Sequence, residues 1–167
     1  LQSVEEFQAM REAGVPRYHA NLEPSRRNFP NICTTHPYED KLENIRRAKS
    51  AGLEVCSGGI LGMGETWEDR IDMALDLSEL GAVSIPLNLL TPIPGTPLEE
   101  AEPLTEGEVF RSVAIFRLLN PTAWIRMAAG RRRFAGGGRK LFRCGANAAI
   151  TGDMLTTTGT GIAGDRA

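Results

Sequence analysis

Long apolar runs and an excess of charge of either sign are both missing from this sequence of 167 residues. No apolar run approaches the roughly 20 residues that a membrane-spanning helix needs. Residues 1–20 hold no basic segment followed by an apolar one, so no signal peptide is predicted. Lys and Arg number 19 against 21 Asp and Glu, a net charge of −2. We therefore expect no general attraction to nucleic acid or to anionic membranes.

Cysteine is also scarce, and its spacing excludes the usual metal patterns. The three cysteines are Cys33, Cys56 and Cys144, and they form neither a CxxC pair nor a zinc-ligand arrangement. This favours a reducing cytoplasm as the compartment. Cys33 and Cys144 are expected to pack rather than to react. Hydrophobic residues make up 41% and charged residues 24% of the chain, values that are typical of a soluble globular protein.

What the sequence does contain is a regular alternation of short strands and amphipathic helices. Capping boxes at Ser3, Thr66 and Thr105 predict three helix starts. Strands are predicted at 17–23, 53–56, 83–90, 124–127 and 147–151. Five strand–helix units in series predict an α/β fold with a parallel sheet, either doubly wound or part of a barrel. A whole (β/α)8 barrel needs about 200–250 residues, so five strands favour a barrel that lacks its beginning.

Several local features carry more specific expectations. Residues 24–36 indicate a polar loop, and residues 57–65 a glycine-rich turn between a strand and a helix. Pro86 is tolerated within its strand only at a bulge or a strand end. Three glycines at 136–138 break the helix predicted over 132–144, because each costs about 1 kcal/mol relative to alanine. The helix that begins after Thr66 is expected to bury one face, formed by Trp67, Ile71, Ala74 and Leu75.

Three side chains near strand ends are candidates for chemistry, because parallel α/β folds place their sites there. Cys56 is either a ligand or nucleophile, or a small buried side chain. Arg126 lies within an apolar strand, so its charge needs an anion, a metal cluster, or a salt bridge to Glu23 or Glu65. Asn88 is an amide in an apolar strand, and its side chain needs hydrogen-bond partners from either a ligand or a neighbouring backbone.

Two further features point to a ligand such as a nucleoside. Asn21 and Glu23 are two residues apart and share one face of the first predicted strand, together with His19. A carboxylate and an amide on one face suit a sugar diol, whereas the alternative is a solvated polar face. The glycine-rich residues 57–65 either let backbone N–H groups approach a ligand or form a turn alone.

Six stretches of the sequence carry a family resemblance. They are YHANLE at 18–23, NICTTH at 31–36, VCSGGILGMGET at 55–66, SIPLN at 84–88, PGTP at 94–97 and IRMAAGR at 125–131. In order and spacing they resemble the biotin synthase family of radical S-adenosylmethionine (SAM) enzymes. GAN at 145–147 and LTTT at 155–158 extend the similarity to about residues 1–159. The Cys-Ser-Gly-Gly stretch at 56–59 separates this family from other radical SAM relatives.

The resemblance implies a (β/α)8 barrel and a sulfurtransferase that converts dethiobiotin to biotin. It implies a [4Fe–4S] cluster that reduces SAM to methionine and a 5′-deoxyadenosyl radical, and a [2Fe–2S] cluster that donates sulfur. Cys56 and Arg126 match ligands of the [2Fe–2S] cluster, and so are the implied metal-binding and catalytic residues. A reducing donor such as flavodoxin or ferredoxin, a homodimer and a cytoplasmic location are also implied, with no nucleic-acid or membrane partner.

The same resemblance implies two groups of ligand-binding residues. Those for SAM are Asn21, Glu23, Gly58, Ile60, Gly62 and Glu65. Those for dethiobiotin are His19, Asn21 and Asn88, of which Asn88 matches the residue that binds the ureido ring.

The family's C-x3-C-x2-C motif and two further cysteines of the [2Fe–2S] site are absent from the 167 residues. We therefore expect a C-terminal part of a biotin synthase that is inactive alone. Residues 1–155 would form a partial radical SAM barrel domain and 156–167 a disordered tail. One alternative is a non-catalytic module that binds adenosine or SAM. Another is a different radical SAM enzyme of the methylornithine or maturase type, against which Cys56 and Arg126 argue.

Overall fold

The computed structural model describes residues 1–152 and residue 161. The helices and strands along these residues are α1 (Val4–Glu12), β1 (Arg17–His19), α2 (Phe29–Ile32), α3 (Tyr38–Ser50), β2 (Glu54–Cys56), β3 (Gly59–Leu61), α4 (Trp67–Leu80), β4 (Ser84–Leu89), α5 (Glu106–Leu119), β5 (Trp124–Met127), α6 (Arg139–Arg143) and β6 (Ala148–Ala149). No helix in this described part is long and apolar enough to cross a membrane. The predicted domain boundary at 155 and, apart from position 161, the predicted disordered tail lie outside the described residues.

The strands form one parallel sheet, and their order follows the chain. β1, β2, β4, β5 and β6 pair in that sequence, and β3 also pairs with β4. Each main helix packs against the next: α1 on α3, α3 on α4, α4 on α5 and α5 on α6. The predicted α/β fold with a parallel sheet is confirmed.

One face of the sheet packs on the helices and forms the main core. The strands contribute Val55, Leu61, Ile85, Leu87, Leu89, Ile125 and Met127. The helices contribute Leu42, Ile45, Met73, Leu77, Val109, Val113 and Phe116. Because side chains alternate along a strand, the residues between these apolar ones point to the other face, which we call the inner face.

Local hydrogen bonds explain where α1, α4 and α5 begin. Ser3 with Glu6, Thr66 with Asp69, and Thr105 with Glu108 each form a reciprocal capping box, as predicted. An N-cap side chain of this kind stabilises a helix by about 1 kcal/mol.

The predicted buried face of α4 is largely wrong. Ile71 and Leu75 are 38% and 43% exposed, whereas Met73 and Leu77 are buried. Two residues along a helix correspond to about 200° around its axis, so Ile71 and Leu75 lie nearly opposite Met73. Ala74 is buried as predicted.

The first strand is shorter than predicted, and two segments predicted as loop or turn contain regular structure. β1 ends at His19, and Glu23 has a left-handed backbone with φ of 65°, so alternation of faces does not continue to that residue. The loop over 24–36 contains α2, which buries Phe29. Gly59–Leu61 within the predicted turn are a strand, because they continue the line of β2 along β4.

Pro86 lies in the middle of β4, where it pairs with Arg126 of β5. The register of β4 is the same before and after it: Ser84 is aligned with Cys56, and Leu87 with Gly59. No residue is inserted, so the bulge or strand end expected at Pro86 is wrong. Its missing N–H instead removes one ladder hydrogen bond, which accounts for the gap between β2 and β3.

The predicted break in the helix over 132–144 is confirmed. Gly136, Gly137 and Gly138 have φ values of 61°, 63° and 79°, which a right-handed helix does not accommodate. Only Arg139–Arg143 are α-helical there, after short 3-10 turns at Arg131–Arg133 and Ala135–Gly138.

Candidate functional site

The inner face gathers several of the predicted site residues. His19 on β1 is aligned with Cys56 on β2, and Ile60 on β3 with Asn88 on β4. Arg126 on β5 is aligned with Pro86. These positions alternate with the apolar residues that face the helices. The parallel register therefore brings residues from five strands to one surface.

Cys56 is the buried thiol of this surface, with 6% of its area exposed. The Nδ1 atom of His19 lies 3.2 Å from the backbone oxygen of Cys56. Burial alone would raise the pKa of the Cys56 thiol, but hydrogen bonds from His19 and Ser84, then the charges of His19 and Arg126, outweigh it and hold that pKa below its ordinary value. In turn, hydrogen bonding to Cys56 raises the pKa of His19. This environment favours a thiolate, the form that binds metals.

Arg126 is partly buried, and no side chain in the described part of the chain forms an ion pair with it. Of the two carboxylates considered as partners, Glu65 binds Arg70 at 2.9 Å. Lys41 is the cation that lowers the pKa of Glu23 most. The salt-bridge explanation of Arg126 is therefore not observed, and its charge is directed to the surface it shares with Cys56.

Asn21 and Glu23 follow β1 and lie beside the start of the glycine-rich segment. The Asn21 side-chain oxygen accepts a hydrogen bond from the Gly58 N–H at 3.2 Å. Lys41 donates to the Asn21 backbone oxygen at 2.9 Å. The Oε2 atom of Glu23 is buried, and no donor among the described residues binds it. Burial raises the pKa of Glu23, although Lys41, Asn21 and His19 oppose the rise. A hydroxyl group of a ligand would satisfy this oxygen.

Glu65 uses its carboxylate within the chain. Its oxygens accept hydrogen bonds from the backbone N–H groups of Gly62 and Met63 at 2.7–2.9 Å and from Arg70 at 2.9 Å. Gly62 has φ of 99°, a conformation that favours glycine. Glu65 thus fixes the loop that follows β3. Sequence reasoning missed Arg70, and its one local signal is the stacking partner Trp67, three residues earlier on α4.

Asn88 bridges the backbones on both sides of β4. Its amide nitrogen donates to the Gly59 oxygen at 3.3 Å, and its amide oxygen accepts from the Ala129 N–H at 3.2 Å. The backbone explanation of this residue is therefore observed. One amide hydrogen of Asn88 is left for another acceptor.

Gly58 lies between β2 and β3 and directly beside Pro86 of β4. A Cβ atom there would stand 2.0 Å from the Pro86 oxygen, so only glycine fits. Gly58 also accepts a hydrogen bond from the Leu22 N–H at 2.8 Å, which ties the segment before Glu23 to the sheet.

The described residues contribute part of a metal-ligand set. Cys56 supplies a soft thiolate, which suits iron–sulfur clusters. Arg126 supplies the neighbouring positive charge. No group of three or more His, Cys, Asp or Glu side chains that could hold a metal ion occurs in the part of the chain that the structure describes. The donors present fit one side of a cluster, and other thiolates would have to complete it.

Comparisons with known proteins show which families the chain as a whole is similar to. The model of the radical SAM superfamily matches residues 2–77, and that of the Biotin and Thiamin Synthesis associated domain matches residues 86–167. The chain is 60% identical over 164 residues to a biotin synthase of Clostridium beijerinckii, covering 98% of this chain and 52% of that protein. It is 58% identical over 166 residues to a biotin synthase of Alkaliphilus metalliredigens, covering 99% and 52%.

The fold also matches a solved structure. The crystal structure of methylornithine synthase superposes with a TM-score of 0.76 at 19% sequence identity, covering 89% of this chain and 44% of that one. Together with the match of residues 2–77 to the radical SAM model, this likeness of fold confirms the predicted portion of a radical SAM (β/α)8 barrel. The chain spans about half the length of the curated relatives it matches. With these matches over nearly all of its residues, the chain belongs to the biotin synthase family of the radical SAM superfamily.

Proposed function

We propose that this chain provides the C-terminal part of the barrel of a biotin synthase, which inserts sulfur into dethiobiotin. The observation that carries the proposal is the placement of both Cys56 and Arg126 on the inner face. Their strands flank β4, and the Arg126 charge acts on the Cys56 thiol. A thiol of lowered pKa beside a cation without an ion-pair partner among the described side chains suits an iron–sulfur cluster.

Each group of residues has a role in this proposal. Cys56 would hold iron of the [2Fe–2S] cluster through its thiolate, and Arg126 would be a second ligand of that cluster. When bound, the two iron–sulfur clusters and SAM supply the radical and the sulfur. His19 stays beside Cys56 and faces dethiobiotin, where it keeps the thiol deprotonated. Asn88 presents its remaining amide hydrogen to the ureido ring.

SAM would bind at the C-terminal ends of β2 and β3. Glu23 accepts a ribose hydroxyl through the buried Oε2 atom, and Asn21 orients the same region through its bond to Gly58. Ile60 and Gly62 line the adenine side of this region. Glu65 acts indirectly, since it shapes the loop from Gly62.

The partners of the whole protein belong to the same proposal. A flavodoxin or ferredoxin delivers electrons, and two copies form a homodimer. We place the protein in a reducing cytoplasm, because Cys56 must remain a free thiol to bind iron, and the three cysteines are free. Without a C-x3-C-x2-C motif to hold the [4Fe–4S] cluster, the chain alone does not cleave SAM.

A chimera tests the proposal. The part of the Clostridium beijerinckii biotin synthase that this chain does not match is fused to residues 1–167 and expressed in a biotin-requiring bacterium that lacks biotin synthase. We expect growth on dethiobiotin with the chimera, and none with the chain alone. Cys56→Ala should abolish growth, whereas the matched control Cys144→Ala should preserve it.

Two results would contradict the proposal. One is a soluble chimera that supports no growth on dethiobiotin, and the other is growth of the Cys56→Ala chimera. If the soluble chimera supports no growth but residues 1–167 alone bind SAM in a calorimeter, the chain is better explained as a nucleoside-binding module.

A further inference from the structure

Acidic and basic side chains are segregated along the second half of the sequence. Residues 71–110 contain eight Asp and Glu but no Lys or Arg, whereas residues 111–152 contain nine Lys and Arg but no Asp or Glu. The two segments meet at the C-terminal ends of β4 and β5, where residues from both line a cavity of about 850 Å³. Segments of opposite charge therefore lie on either side of this cavity.

Residues 91–103, which we call the flap, form one side of the cavity and contain no buried residue. The hydrogen bonds of the flap are internal. The Thr96 hydroxyl donates to the Ile93 oxygen at 2.7 Å, and the Gly95 N–H donates to the Glu99 carboxylate at 2.7 Å. No hydrogen bond or ion pair joins the flap to any other residue that the structure describes. Its four prolines restrict the backbone, so the flap is a stiff unit.

The flap is fastened just beyond its two ends and is flanked by cavities. Before it, the Leu90 N–H donates to the Leu61 oxygen at 2.9 Å, and after it, Arg133 donates to the Leu104 oxygen. The cavity of about 850 Å³ lies on one side of the flap, and a second of about 340 Å³ lies between the flap and the end of α2. Because close-packed protein leaves few voids of this size, the flap has room to move about its two ends.

Charged side chains on the two sides of the larger cavity are not paired with each other. Glu100 and Glu102 are exposed on the flap, and Arg132 and Arg133 are exposed on the segment that follows β5. Glu106, at the start of α5, lines the same cavity without an ion pair to either arginine. None of these five side chains forms an ion pair within the described part of the chain. The arginines are therefore available to the glutamates of the flap.

We propose that the flap is a lid, which closes onto residues 130–134 when Glu100 and Glu102 pair with Arg132 and Arg133. The structure shows its open position, in which the cavity separates the two sides. Closure also covers the apolar side chains of the cavity lining, a gain that does not depend on charge. The closed lid lies over the C-terminal ends of β4 and β5, the end at which parallel α/β folds bind their ligands. It closes without a ligand, so its test is separate from that of the chimera.

Limited proteolysis of the whole chain by thermolysin tests the lid. This protease cleaves before apolar residues, so Ile93 and Leu98 supply cleavage sites in the flap that no charge variant alters. At low salt, Arg132→Glu should speed cleavage within the flap about two- to fivefold, the range for the loss of one exposed ion pair. Arg139→Glu is the matched control and should leave the rate unchanged, because Arg139 is exposed at the start of α6 outside the cavity lining. Equal rates for the two variants would overturn the proposal.

A charge swap separates ion pairing from a general loosening of the flap. Arg132→Glu combined with Glu100→Arg and Glu102→Arg reverses both sides and should return the cleavage rate to that of the unmodified chain. Glu100→Arg with Glu102→Arg alone should speed cleavage as Arg132→Glu does. Both glutamates are exposed, so this second variant decides the question if Arg132→Glu fails to fold.

Salt provides an independent measurement. At about 1 M salt, where charges are screened beyond about 3 Å, the differences in cleavage rate between these variants and the unmodified chain should disappear. A charge-swapped chain that is cleaved as fast as Arg132→Glu, or differences that persist at high salt, would also overturn the proposal.

Discussion

The Nε atom of Arg70 lies 2.9 Å from Oε1 of Glu65, and the two side chains are only 3% and 2% exposed. Arg70 also donates to the Ser112 hydroxyl at 3.3 Å and stacks on Trp67 at 4.5 Å. Through Glu65 this pair holds the backbone of Gly62, so a buried ion pair fixes the loop after β3.

Arg70→Met should therefore destabilise the chain strongly. It leaves the Glu65 carboxylate charged and buried without its cation, a loss of about 3–5 kcal/mol in the free energy of unfolding. Arg111 is the matched control, because it stacks on the same Trp67 ring at 5.0 Å but is exposed. Arg111→Met should cost about 1 kcal/mol or less. Urea denaturation measures both, and equal losses would contradict a stabilising role for the ion pair.

Gly58→Ala should also destabilise the chain, for a steric reason. The added methyl group would lie 2.0 Å from the Pro86 oxygen in the middle of the sheet, and such overpacking costs about 1–3 kcal/mol. Gly107→Ala is the control, because Gly107 lies in α5 with no other group near its Cβ position. That change should stabilise the chain by about 0.5–1 kcal/mol. Thermal denaturation measures the stability change of both variants. If the two changes have the same sign, the close approach of Pro86 is not the reason that position 58 requires glycine.

Glu23→Gln should stabilise the chain at neutral pH while it weakens ligand binding. Burial raises the pKa of Glu23, so the folded state holds the proton more tightly than the unfolded state does. The ionised form therefore costs stability above the raised pKa, and this cost vanishes as the pH falls below the ordinary value of 4.5.

Urea unfolding over a range of pH values measures this effect. The stability advantage of Glu23→Gln should be present at neutral pH and should disappear on acidification. Glu12→Gln, at an exposed position of α1, should show no such trend. An advantage of Glu23→Gln that grows as the pH falls would mean that folding lowers the pKa of Glu23 instead of raising it.

Asn88→Ala should loosen the centre of the sheet. It leaves the Gly59 oxygen and the Ala129 N–H without their side-chain partner, at a cost of about 1–3 kcal/mol. Gln8→Ala removes an exposed amide from α1 and should change stability by no more than about 0.5 kcal/mol. Guanidinium denaturation compares the two, and equal midpoints would show that the Asn88 bridge adds nothing.

Features that depend on neighbours in sequence could be predicted well. The capping boxes at Ser3, Thr66 and Thr105 join residues three positions apart, so the sequence alone contains both partners. The succession of strands and helices followed from the same local patterns. The fold class then required only the rule that such units form a parallel sheet.

Features that depend on distant partners could not be predicted. Gly59 belongs to a strand because β4 lies beside it, and its glycine neighbours conceal that tendency. The partner of Glu65 is Arg70, whose separation of five residues matches no helical pairing rule. The inner-face positions of Cys56 and Arg126 follow from alternation along their strands, but their proximity depends on the order of the sheet.

The strand order has a consequence for how the polypeptide folds. Strands that pair follow one another along the chain, except that β2 also pairs with β4, and the paired residues lie 22–40 positions apart. Each pairing therefore closes a loop of that length, a pattern associated with the slow folding of parallel sheets. Structure can grow outward by adding one unit at a time, without threading any segment between others. Within residues 1–152, β1 and β6 each pair with one neighbour, so growth can continue at either border. The strands that the chimera adds to this chain would pair with these border strands, β1 and β6.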